Sequence, residues 1–214
     1  VASSAVSADE CVPSPWGADD QIGSANRVTP ERTTAAAKLV KKGISHPLGI
    51  VIEPGMPAYP PRYTQLQVVQ PNQQFNADLG VGWEASSNDN VLQMWLGTGP
   101  QLDGLGHMGE AGEFYNCNQG KEFSIITGLT KLDISGIPPM VGRGGMIDIA
   151  KQMGVDSLQS GQPITSDDIK AAMKSQGVTV GEGDIVLLHT GYTDATLKQN
   201  PALWAGSIPG ITNE

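Results

Sequence analysis

The stretch Gly183-Asp184-Ile185-Val186-Leu187-Leu188-His189-Thr190-Gly191 is the part of the chain from which the fold can first be inferred. Its apolar residues form an unbroken run, and turn-forming residues stand on both sides of that run. Such a pattern is typical of a strand that is buried on both faces of a sheet. We therefore expect a central strand over residues 185–189.

Helical and strand patterns alternate along the rest of the chain. A helix is predicted over residues 30–42, with Thr29 as its N-cap and Pro30 as its first helical residue. Ser166 is predicted to cap a second helix that continues through Gln176 and ends at Gly177. Further strands are predicted over residues 48–52, 66–70, 90–96 and 145–150.

This mixture of elements predicts an α/β protein. Because 214 residues suit one ordinary domain, we expect a single compact domain over residues 1–214, with a mixed central sheet flanked by helices. Residues 1–15 are expected to form an extended N-terminal arm. The chain stops at Thr212-Asn213-Glu214 without a closing element, so we expect that a C-terminal part is missing.

Composition narrows the possible partners and locations. A net charge of −9 argues against nucleic acid as a partner, and no apolar run reaches the ~18 residues that would cross a bilayer. The start VASSAVSADE is typical of what remains after a leader peptide is removed. Cys11 and Cys117 lack CxxC spacing, which favours a single disulfide in a periplasmic or secreted protein. The alternative is two unrelated buried thiols.

The candidate chemistry lies in residues 95–107, which read WLGTGPQLDGLGH. Gln101 and Asp103 are two positions apart, so an extended segment points both side chains to one face. A Gly-Leu-Gly turn can then fold His107 back over the same place. An amide oxygen, a carboxylate and an imidazole are suitable metal ligands or acid–base groups. The alternative is an aspartate that caps a turn above a packed histidine.

This segment resembles the signature H-x-G-T-H-x-D-x-x-x-H of the cyclase family, the metal-dependent hydrolases that include bacterial kynurenine formamidase. In the alignment Gly97 stands where the first ligand histidine is found and Gln101 where the second is found, whereas Asp103 and His107 match. Residues 101–116, QLDGLGHMGEAGEFYN, look like a branch of the family with a T-Q-x-D-G-x-G-H motif.

Three other stretches carry the resemblance across most of the chain. Residues 16–31 resemble the family's opening W-G-x-D-D-x-x-G-x-x-N-x-x-T-P-E, and residues 143–148 resemble R-G-V-L-L-D. Residues 183–192 resemble G-D-x-V-L-x-x-T-G-W. Four similar stretches in the same order identify the chain as a member of this family.

The resemblance implies a hydrolase of a cyclic amide, a lactone or an N-formyl substrate. It implies a metal-bound water as the nucleophile, His107 as general base and acid, and Asp103 and Gln101 as ligands of Zn²⁺ or Mn²⁺. Of three ligand positions in the motif, only Asp103 keeps the family's residue. Three interpretations stay open: a metal completed by later residues or a partner, a metal-free Asp–His site, or an inactive subunit that binds a small molecule or serves in an assembly.

Substrate-binding residues are also predicted. Arg62 and Tyr59 lie in a proline-rich loop that the resemblance places beside the substrate, and Arg62 is suited to a carboxylate. His189 ends the predicted central strand, where clefts open in α/β sheets. Tyr115 follows the motif and is the fourth candidate. The family resemblance further implies a homo-oligomer, and the chain's own C-terminal fragment is a possible partner.

Overall fold

The structure is a computed structural model, and it describes residues 11–69, 73–75 and 85–212. Most of the predicted N-terminal arm, residues 1–10, lies outside the described residues. Residues 213–214, on which the expectation of a missing C-terminal part rests, lie outside them as well.

Short helices and short strands alternate along the described chain. The α-helices are α1 (Pro30–Ala37), α2 (Gly120–Phe123), α3 (Ile149–Gln152), α4 (Ser166–Gln176), α5 (Tyr192–Thr196) and α6 (Pro201–Trp204). The strands are β1 (Thr64–Val68), β2 (Gln73–Phe75), β3 (Ala85–Ser87), β4 (Asn90–Met94), β5 (Glu113–Phe114), β6 (Asn118–Gln119), β7 (Ser124–Ile125), β8 (Gly128–Leu129), β9 (Gly144–Asp148), β10 (Pro163–Ile164), β11 (Ile185–His189) and β12 (Gly210–Ile211). Turns of 3-10 helix span Gly23–Arg27, Tyr115–Cys117 and Ile134–Gly136.

The two predicted helices form, with differences at their ends. The Thr29 side chain caps α1 as predicted, but α1 ends at Ala37 and not at residue 42. Helix α4 ends at Gln176 as predicted but begins one residue earlier than expected, because its capping side chain is that of Thr165 and not that of Ser166. The Thr165 hydroxyl accepts a hydrogen bond from Asp168 N, and the Asp168 carboxylate accepts one from Thr165 N, which makes a reciprocal capping box.

The strands of the described residues form six two-stranded sheets. Strands β1 and β4 pair antiparallel, and β10 and β12 pair parallel. The α/β class and the mixture of strand directions are therefore confirmed. One wide central sheet is not seen in the described part of the chain, and the predicted strand over residues 48–52 has irregular backbone.

Strand β11 has the predicted bounds, but the expectation that it is buried on both faces is wrong. Its residues are exposed or half-buried, and Val186 is 45% exposed. In the described residues β11 pairs with one strand, β9, and is therefore part of a two-stranded sheet and not the centre of a wider one. An unbroken apolar run cannot show by itself how many neighbours a strand has.

The described residues group by their contacts into two compact units. Unit 1 contains the described residues within the ranges 1–44, 102–147 and 173–188, and unit 2 contains those within 45–101, 148–172 and 189–214. The buried apolar residues of unit 1 are Phe123, Leu132 and Ile147, and those of unit 2 are Ile149, Ala150, Leu158, Ile164, Ala172 and Tyr192. A single domain over the whole chain stays a prediction.

Unit 1 holds its N-terminal segment by a covalent bond. Cys11 and Cys117 form a disulfide, as predicted, with 106 residues of sequence separation. The Asn116 side chain adds four hydrogen bonds beside it: Ser14 N donates to its carbonyl, and its amide donates to the backbone oxygens of Gly17, Ala18 and Asp20. These contacts fix the start of the described chain against residues 115–117.

The Asp20 carboxylate is the second anchor of this segment. It accepts hydrogen bonds from the hydroxyls of Tyr115, at 2.6 Å, and Ser14, at 2.8 Å, and from the Asn26 amide at 2.7 Å. Burial alone would raise the pKa of Asp20, but these bonds and one from Ile22 N outweigh it and lower the pKa to about 2. Asp20 is therefore a charged group that caps a turn.

No helix in the described part of the chain is long and apolar enough to span a bilayer.

Candidate active site

Asp103 and His107 lie beside each other in unit 1. The His107 Nε2 atom is 3.9 Å from Asp103 Oδ1, and the two side chains are about half exposed. A turn folds the chain back between them, because His107 N donates to Gly104 O at 3.0 Å. The spacing of the motif therefore brings the two predicted catalytic side chains together, within reach of solvent.

The glycines of this turn are required by packing against residues 132–134. A Cβ atom at Gly104 would lie 2.7 Å from the Ile134 side chain, and one at Gly106 would lie 3.1 Å from Leu132 O. Gly106 N also donates to Leu132 O at 3.0 Å, and Leu132 is fully buried. The turn that carries His107 is thus fixed on the core of unit 1.

Unit 2 contains a cavity of about 330 Å³ that three of the predicted residues line: Tyr59, Arg62 and Gln101. This volume is at the small end of the range for small-molecule sites. The other lining residues are Pro57, Ala58, Gly97, Thr98, Gly99, Thr190, Tyr192, Thr193, Trp204, Ala205, Ile208 and Pro209. The wall therefore combines one cation with several apolar and aromatic groups.

The register of β1 and β4 brings Arg62 next to Gly97. Thr64 pairs with Met94, and the ladder continues where Trp95 N donates to Tyr63 O at 3.1 Å. Arg62 Nη1 then donates to Gly97 O at 2.9 Å. A Cβ atom at position 97 would lie 2.5 Å from this Nη1 atom. The guanidinium group thus fills the space that a side chain at residue 97 would need.

His189 and Tyr115, the other two substrate-binding candidates, have protein partners. The His189 Nδ1 atom lies 3.1 Å from Asp148 Oδ1. Neither His189 nor Tyr115 is among the residues that line the unit 2 cavity. A bond from Lys151 N, and then the one with His189, hold the pKa of Asp148 below its ordinary value. Tyr115 lies in unit 1, where burial and its bond to Asp20 raise the pKa of its hydroxyl. Their roles toward a substrate stay predictions.

Residues 44–214 match a protein-family profile described as "Putative cyclase". The chain belongs to the cyclase family. A solved crystal structure of a novel cyclase has a similar fold, with a TM-score of 0.77 and 29% sequence identity. The match covers 92% of this cyclase and 69% of that chain. No curated protein matches this cyclase.

Few side chains suited to bind a divalent metal lie together in the described part of the chain. Zinc sites take three or four protein ligands, and among the described residues no group of three or more His, Cys, Asp or Glu side chains could hold an ion. Unit 1 offers the pair Asp103 and His107. In unit 2, Gln101 shares the cavity wall with Arg62, whose positive charge opposes a second cation.

Sequence reasoning missed part of the cavity wall. Tyr192 directly follows the Thr190-Gly191 turn, and Trp204 is the last residue of α6. Both line the cavity in unit 2, where the Tyr192 hydroxyl donates to Leu203 O at 2.8 Å and Trp204 Nε1 donates to Thr193 Oγ1 at 3.3 Å. The signal available in the sequence was the position of Tyr192 at the end of a predicted strand.

Proposed function

We propose that this cyclase is a hydrolase that opens a cyclic amide, a lactone or an N-formyl bond. The observation that carries the proposal is the pair of Asp103 and His107, 3.9 Å apart on the turn of the glycine-rich segment, in a chain of the cyclase family. An imidazole beside a carboxylate is a common arrangement for moving protons during hydrolysis.

The proposed reaction uses His107 first as a base and then as an acid. His107 takes a proton from a water molecule, and the water oxygen forms a bond to the carbonyl carbon of the substrate. The carbonyl carbon then loses its bond to the leaving nitrogen or oxygen, and His107 returns the proton to that atom. Asp103 favours the positively charged imidazole between these steps, and a positioned proton-transfer group contributes roughly 10²- to 10⁴-fold in rate.

The second candidate function is a small-molecule-binding or assembly subunit without chemistry. The observation that favours it is the absence of a side chain at Gly97, where the Arg62 guanidinium lies instead. Both functions use a small-molecule ligand and no nucleic acid. We also propose that the protein is a homo-oligomer. The disulfide supports a periplasmic or secreted location.

One experiment separates the two functions. The purified full-length protein is tested for hydrolysis of a panel of lactones, cyclic amides and N-formyl amines, with and without a chelator, and its zinc and manganese contents are measured on the same sample. Turnover of any panel member supports the hydrolase, and insensitivity to the chelator supports the metal-free Asp–His mechanism. Saturable binding without turnover across the panel would support the binding subunit.

A further inference from the structure

Arg62 differs from the other arginines of this cyclase in its partners. The chain has four arginines, and three of them pair with carboxylates: Arg27 and Arg32 with Glu182, and Arg143 with Asp184. Among the described residues no carboxylate forms an ion pair with Arg62, whose hydrogen-bond partner is the carbonyl oxygen of Gly97. A half-buried guanidinium that faces a cavity, with no counter-charge from the described residues, is expected to bind an anion.

The position of the guanidinium in the cavity is well defined. The bond from Nη1 to Gly97 O holds one edge of the group, and the backbone of Arg62 is fixed by a turn in which its N–H donates to Tyr59 O at 2.7 Å. A guanidinium has five N–H donors, and this bond uses one of them. The planar group can therefore offer two parallel donors to a carboxylate.

The rest of the wall favours an apolar body on the same ligand. Tyr192 is 4% exposed, and its hydroxyl is already bound to Leu203 O, so the side chain presents mainly carbon to the cavity. The Trp204 indole N–H is likewise bound to the Thr193 hydroxyl. Ile208 adds an aliphatic group. Binding is therefore favoured when these apolar side chains cover the apolar surface of a ligand and remove it from water.

We infer that the unit 2 cavity binds a small carboxylate with an apolar body, and that Arg62 supplies the positive charge that recognises the carboxylate. The inference goes beyond the proposed function, because it names the class of molecule that unit 2 binds, whether or not the chain hydrolyses that molecule. Two sources supply such a carboxylate: the substrate can carry one, and hydrolysis of a lactone or cyclic amide creates one.

Calorimetric titration of the full-length protein with benzoate and with the neutral benzamide tests the charge recognition without any turnover. Benzoate binds, and Arg62→Met weakens it about tenfold or more, whereas the affinity for benzamide changes little. Arg32→Met is the matched control, because it makes the same change of net charge in unit 1 and leaves benzoate binding unchanged. The inference is overturned by an absence of saturable benzoate binding, by unchanged binding in Arg62→Met, or by an equal loss in Arg32→Met.

Gly97→Ala tests the same recognition with the charge kept. A Cβ atom at position 97 would displace the flexible end of Arg62, so benzoate affinity falls as in Arg62→Met while the fold is kept. Gly136→Ala is the control, since a Cβ atom there has no atom within 4 Å. Loss of benzoate affinity in Gly136→Ala equal to that in Gly97→Ala would count against the inference.

The two sources are separated by three further ligands. Phthalide is a neutral lactone, ortho-hydroxymethylbenzoate is its ring-opened product, and a carboxyphthalide is a closed lactone that carries a carboxylate. Arg62-dependent binding of the carboxyphthalide assigns the carboxylate to the substrate, and Arg62-dependent binding of the opened product alone assigns it to the product. Binding of all three without dependence on Arg62 overturns the inference, whether or not the panel of substrates is hydrolysed.

Discussion

The guanidinium of Arg62 lies 2.5 Å from the point that a Cβ atom of residue 97 would occupy. Gly97 is therefore a residue that this cavity requires, because any side chain there would displace the cation. The motif alone suggests a lost metal ligand at position 97. The structure adds what occupies the space, which is a positive charge bound to the Gly97 carbonyl oxygen.

Asp20→Asn is expected to lower the free energy of unfolding in a pH-dependent way. The folded-state pKa of Asp20 is about 2, below its ordinary value of 3.8, so the charged form stabilises the fold. The stabilisation is about 2 kcal/mol at neutral pH and is lost as the pH falls from about 4 to 2. Urea unfolding of both proteins across this range checks it. A difference that stays constant down to pH 2 would contradict the assignment.

Tyr115→Phe separates a structural role from a substrate-binding role. The variant removes the hydroxyl that lies 2.6 Å from Asp20, so the free energy of unfolding is expected to fall by about 1–3 kcal/mol, with KM unchanged for the true substrate. Tyr63→Phe, at an exposed tyrosine of unit 2, is the control and has little effect on either quantity. A rise in KM with full stability would instead support the sequence prediction that Tyr115 binds substrate.

Loss of the disulfide is expected to destabilise the chain strongly. A crosslink between residues separated by 106 positions lowers the entropy of the unfolded chain. In the chain-entropy description this raises the free energy of unfolding by about 4–5 kcal/mol. The double variant Cys11→Ser with Cys117→Ser should therefore unfold at a much lower denaturant concentration than the oxidised protein. Reductant should move the oxidised protein to the same midpoint. Equal midpoints for the oxidised protein and the double variant would mean that the crosslink does not stabilise the fold.

Local signals in the sequence predicted the local structure well. Thr29 before Pro30 gave the correct start of α1, and the end of α4 and the bounds of β11 follow from residue propensities and from the glycines that flank these elements. Two cysteines without CxxC spacing were enough to predict the pairing of Cys11 with Cys117. Each of these features depends on residue types that allow few local conformations or few bonding partners.

Features that depend on neighbours distant in the chain were harder to predict. The exposure of β11 depends on what covers the two faces of its sheet, and its own residues do not contain that information. The same holds for the contact of Arg62 with Gly97, which depends on the register of β1 with β4. Asp103 and His107 could be predicted to meet because a single turn joins them.

The most direct test of the proposed function is the turnover of His107→Ala beside that of His46→Ala, each measured on the substrate that the panel identifies. His46 is an exposed histidine in a loop of unit 2, so its variant controls for the loss of an imidazole. We predict that His107→Ala keeps the fold, as judged by circular dichroism, and loses at least about 10²-fold in kcat, whereas His46→Ala keeps its turnover. Turnover by a folded His107→Ala protein at the rate of the unaltered chain would contradict the proposed mechanism.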